Sequence, residues 1–154
     1  MSEPVLLALM AFGERDVFAS GEFHRVDFDR LYHDVLKPAA VDAGFIPMRA
    51  DDIGGTGVIT SQIVEMLTRA SAVMADISTA NGNVLYELGA WHALGNGPSL
   101  LIATSGTSIP FALAHMRVHF YDTSLKSVPL LLDAMQHLRS RLGTQEGNPM
   151  DATL

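Results

Sequence analysis

Five apolar runs of strand length, each separated from the next by a segment of helical period, leave this chain few architectures. Residues 5–11 are uninterruptedly apolar, the pattern of a strand covered on both faces, as in a parallel sheet. Residues 45–48, 72–77, 99–103 and 118–121 supply four more such runs. Between the first two, Phe28, Leu31, Tyr32, Val35 and Leu36 recur at helical spacing. Asp27 is placed to cap that helix, Pro38 to kink or restart it, and Gly44 to stop it. Val58, Ile59, Ile63, Met66 and Leu67 form a second stripe, and Val84, Leu85, Leu88 and Trp91 a third within residues 83–94. Residues 110–114 make one further turn, and residues 128–142 a terminal helix. The polar stretch 12–24 has no period and reads as a mobile flap.

Strands alternating with helices, with no Asn-Gly hairpin signal between runs, specify an α/β fold with a doubly wound, five-stranded parallel sheet. Right-handed crossovers make the flavodoxin-like order 2-1-3-4-5 the expected one, over a single domain of residues 1–142. Residues 143–154 lack periodicity and read as a flexible tail or the start of a linker. In such sheets ligands bind beyond the C-terminal ends of the strands, at the switch point between the first and third.

Composition narrows the function. Ten Lys and Arg against seventeen Asp and Glu give a net charge of -7, the wrong sign for a surface that binds nucleic acid through its phosphates. The absence of cysteine removes disulfides, thiolate metal sites and a cysteine nucleophile. The apolar run near the N-terminus follows Glu3 and is far short of the ~20 residues of a spanning helix, which predicts no membrane segment and a cytoplasmic chain. His115 and His119 are four apart but lead into a strand, and no His-Glu-x-x-His set exists, so no metal is expected. His92 reads as a surface or interface residue. Gly54-Gly55-Thr56-Gly57 resembles a phosphate loop only in composition. A phosphoacceptor receiver would carry its acidic pair after the first strand, whereas Asp51-Asp52 follows the second. A dinucleotide-binding Gly-x-Gly-x-x-Gly is missing as well.

The densest chemistry lies in Asp76-Ile77-Ser78-Thr79-Ala80-Asn81-Gly82-Asn83-Val84-Leu85-Tyr86-Glu87-Leu88-Gly89. Asp76 ends a strand, Ser78, Asn81 and Asn83 line the turn, and the next helix begins with free N–H groups. Asn81 or Asn83 caps that helix. Asn83 and Glu87, four apart, share a flank, with Val84 and Leu88 about 100° around toward the sheet, so Glu87 is expected to look into the ligand crevice. The bland alternative makes Asp76 and the asparagines turn residues and Glu87 a solvated carboxylate. Gly89, inside the helix, costs about 1 kcal/mol relative to Ala, which argues for a close approach to the sheet.

These residues resemble the Asp-hydrophobic-Ser/Thr-x-x-Asn-x-Asn-Val-x-Tyr-Glu-Leu-Gly signature of bacterial TIR-like domains, which are similar in fold and site to nucleoside 2-deoxyribosyltransferases. Phe12-Gly13, Arg49-Ala50-Asp51-Asp52 and Ile109-Pro110-Phe111 extend the likeness, and Gly82 departs from the proline usual there. The resemblance implies that Glu87 is the catalytic carboxylate for cleaving an N-glycosidic bond. It further implies a substrate site of Phe12, Gly13, Arg49, Asp51, Asp76, Ser78, Asn81 and Asn83. NAD is then a substrate rather than a cofactor, the product nicotinamide with ADP-ribose or a cyclised form, and the setting a homo-oligomeric signalling or defence module. Two alternatives stand beside it: transfer of deoxyribose between nucleobases, and a non-enzymatic nucleotide-binding or self-association module of a longer protein.

Overall fold

The computed structural model describes residues 3–49, 61–79, 81–122 and 124–142. Parallel strands β1 (Val5–Leu9), β4 (Ile46–Arg49), β5 (Ala72–Asp76), β6 (Ser99–Thr104) and β7 (Val118–Tyr121) form one sheet in the order β4-β1-β5-β6-β7. This is the flavodoxin-like order 2-1-3-4-5. In register, Ala8 of β1 stands beside Arg49 of β4 and Met74 of β5. Strand alternation then divides the core. Leu6, Ala8, Ala72, Met74, Leu100 and Ile102 meet helices α1 (Phe28–Leu31), α2 (Lys37–Asp42) and α5 (Val128–Arg141) on one face. Leu7, Leu9, Val73, Ala75, Leu101 and Ala103 meet α3 (Ser61–Arg69) and α4 (Gly82–Leu94) on the other. Trp91 of α4 is fully enclosed there, with its indole N–H donating to Pro98 O at 3.3 Å.

One local expectation is corrected. Residues 12–24 do not form an aperiodic flap: β2 (Glu14–Ala19) and β3 (Glu22–Asp27) make an antiparallel hairpin. Its two-residue turn is Ser20-Gly21, both with positive φ (54° and 83°), as a turn matched to strand twist requires. The hairpin buries Val17, Ala19 and Val26 in the first core layer. One end is fastened by Phe28 N–H to Gly13 O at 2.9 Å, after β1, and the other by Ser20 N–H to Gly106 O at 3.1 Å, after β6. It therefore spans the C-terminal edge of the sheet on the α1/α5 face, across the end of β5.

The first helical segment restarts at Pro38, as expected: α2 begins at Lys37 with that proline in its first turn. Between α1 and α2 lies a π turn, Tyr32–Leu36, closed by Lys37 N–H on Tyr32 O. A proline ring crowds the carbonyl four residues before it, here that of Asp34, and a turn widened by one residue just ahead of Pro38 accommodates it. Asp27 does cap α1, accepting from Arg30 N–H at 3.1 Å, and Gly44, at φ 93°, ends α2. The Gly54–Gly57 loop, the early part of the second helical stripe and residues 143–154 lie outside the described residues. Among the described residues no helix is long and apolar enough to cross a membrane.

Candidate active site

Arg49, at the end of β4, is 1% exposed and its guanidinium is sandwiched, 4.8 Å from the ring centres of both Phe12 and Tyr32. Its Nη2 donates to Asp29 Oδ1 at 2.8 Å, and the same oxygen accepts the N–H of Gly13 at 3.0 Å. The Gly13 N–H, aided by Arg49, holds the Asp29 carboxyl below its ordinary range against the effect of burial. Phe12, Gly13 and Arg49 are thus joined through Asp29 and Tyr32, two residues that sequence reading placed in a helix without a role. Asp51 lies outside the described residues.

Asp76 closes β5 in a second cluster. Its Oδ1 accepts the N–H of Ser78 at 3.0 Å and the Ser78 hydroxyl at 2.6 Å, while Oδ2 accepts the Tyr121 hydroxyl. Ser78 Oγ in turn accepts the N–H of Thr104 at 2.8 Å. Burial pushes the carboxyl of Asp76 up, against the pull of these donors, and burial beside that carboxylate pushes the Tyr121 hydroxyl well up. Both carboxylate oxygens are therefore already engaged by the protein. Asp76 shares its strand face with Ala72 and Met74, opposite α4, and lies under the hairpin.

Glu87 sits on the other side of the sheet. Val84, Leu88 and Trp91 form the buried stripe of α4, and at about 100° per residue Glu87 lies at the edge of that stripe. Only 8% of it is exposed, so it is not a solvated helix carboxylate. No described residue donates to it, and burial alone raises its pKa to about 6. A carboxylate in low dielectric, without a cation nearby among the described residues, is poised to oppose positive charge. Asn83, one turn earlier on the same flank, is exposed, and Asn81 is the cap, its Oδ1 accepting Asn83 N–H at 2.8 Å. Thr79, not singled out from sequence, carries an enclosed hydroxyl with no partner among the described residues.

The expected single cluster is thus three groups along the sheet's C-terminal edge: the Arg49 sandwich, the Asp76 network and the α4 flank with Glu87. Two further expectations are corrected. A Cβ built on Gly89 would meet nothing within 4 Å, so no close approach to the sheet explains that glycine. Instead Gly89 borders an apolar groove of about 580 Å³ between α4 and the turn carrying Pro110 and Leu113. His92 is 8% exposed and hydrogen-bonded to Ser99 Oγ at 3.1 Å, a buried residue rather than a surface one. Among the described residues no group of His, Asp and Glu is arranged to hold a metal ion. Compared with protein-family models and with curated proteins, the chain matches none.

Proposed function

We propose that this chain cleaves the N-glycosidic bond between nicotinamide and ribose of NAD, with Glu87 as the catalytic carboxylate. The supporting observation is the enclosed state of Glu87 at the flank of α4, with no ion-pair partner among the described residues. As the C–N bond breaks, its electron pair neutralises the pyridinium nitrogen, and positive charge builds on the ribose carbon and ring oxygen. Ionised Glu87 opposes that charge, and nicotinamide leaves as a neutral base with no acid needed. Water then adds to the ribose carbon and gives up a proton. Phe12, 40% exposed over Arg49, offers an aromatic face to a base. In this reading Asn81 and Asn83 hold ribose hydroxyls, and Asp76 and Ser78 act through the strand end they fix.

Incubation with NAD at several protein concentrations, with separation of the products, tests this. Nicotinamide should be released, and Glu87→Gln should lose roughly 10²–10³ in turnover, the cost of one preorganised electrostatic group. Activity should rise as Glu87 ionises, with a midpoint near its pKa of about 6. A folded protein that leaves NAD intact at every concentration, yet exchanges the base of a deoxynucleoside, would replace this reading with deoxyribosyl transfer through the same Glu87. One observation favours ligand binding without turnover: Asp76 and Ser78 are already engaged by protein partners. Calorimetric binding of NAD with no product, also in forced oligomers, would establish that reading.

A further inference from the structure

A groove of about 470 Å³ lies between the start of β6, the segment entering β7, and α5. Its volume falls in the range of small-molecule sites. Its lining is the reverse of the chain's acidic balance: Arg117, Arg141, His115, His119 and His137 surround it, with Asp133 the one carboxylate. Arg117 is exposed and pairs with no carboxylate of the described residues. Nδ1 of His119 is enclosed and has no hydrogen-bond partner among the described residues, so that part of the ring's bonding capacity is unused by the fold. The histidines are not arranged to share a metal ion. What Arg117, His115 and His137 offer together is a set of N–H donors in one concavity.

We propose that this groove binds a small phosphate monoester, the phosphoryl oxygens taking N–H donors from Arg117, His115 and His137, and Asp133 accepting a hydroxyl of the organic part. Three terminal oxygens and close to two negative charges match this many donors better than a carboxylate does, and the planar arginine fork suits phosphate. The carboxylate of Asp133 disfavours a bare anion, which is why an ester with a hydroxyl is the better ligand. The groove uses no residue assigned to NAD cleavage and stands whether or not that reading holds.

The full chain titrated by NMR with inorganic phosphate, and separately with ribose 5-phosphate, at constant ionic strength, tests the assignment. Saturable shifts should appear at the ring signals of His115, His119 and His137, with ribose 5-phosphate the tighter ligand. Arg117→Gln and His137→Gln alter exposed side chains and leave the core intact. Each should weaken ribose 5-phosphate about tenfold or more, whereas Asp133→Asn should narrow its advantage over inorganic phosphate. Shifts that never saturate, that map to another surface, or that keep the same Kd in Arg117→Gln would overturn the site. Equal affinity for the two probes would overturn the ester specificity.

Discussion

Replacing Glu87 by Gln should stabilise the protein at neutral pH. In the folded chain the carboxyl has a pKa of about 6, raised by burial from an ordinary 4.5. One pH unit is worth about 1.4 kcal/mol, so the fold disfavours the ionised form by about 2 kcal/mol. The sign follows from linkage. A raised folded pKa means that Glu87 binds its proton more tightly in the native state, so stability is fully present below about pH 4.5 and lost as pH rises through about 6. The neutral amide keeps the shape and escapes that loss. Glu87→Gln should match the wild type near pH 4 and exceed it by up to about 2 kcal/mol at pH 7.5, roughly 4–8 °C in Tm for a chain of this size. Urea titrations across this pH range give the difference directly, provided the m-values agree. A variant less stable than wild type at pH 7.5, or a difference that does not change with pH, would refute the assignment of Glu87 as an enclosed, unpaired carboxylate.

Tyr121→Phe removes the hydroxyl that donates to Asp76 and leaves a buried carboxylate oxygen without its donor, so urea unfolding should register a loss of about 1–3 kcal/mol. Gly106→Ala would place a Cβ 2.0 Å from Ser20 Oγ and 2.9 Å from its backbone N, at φ 86°. Amide exchange in β2 and β3 should accelerate in that variant while β1 and β5 remain protected. Gly89→Ala meets open space in a helix interior and should raise the Tm, by up to about 1 kcal/mol in stability.

The sheet and its strand order were readable because each strand is a continuous apolar run bounded by turn residues, and α4 because Asn81 and Gly95 mark its ends. The hairpin escaped notice because Ser20-Gly21 is a weaker turn signal than Asn-Gly, and only Val17, Ala19 and Val26 along its strands are buried. A two-residue turn with Val17 and Ala19 in alternation before it was the available clue. Glu87 could be placed on α4 from spacing alone, but its burial depends on packing that a helical wheel does not contain. The partnerships of Asp76 with Tyr121, 45 residues apart, and of Asp29 with Arg49, 20 apart, are set by strand order and by the first crossover, so no local pattern announces them.

The hairpin gives the ligand-facing end of this domain a resident occupant. Open α/β sheets offer a crevice that helices on both faces can line, and here the chain has folded its own residues 14–27 into half of it. That half is a finished wall whose carboxylate, hydroxyls and amides answer one another. A ligand at this end would approach from the α3 and α4 side, where, among the described residues, the flank of α4 and the rim at Phe12 would shape selectivity. Reshaping that helix flank would change what the domain accepts, whereas reshaping the hairpin would change whether the domain holds together.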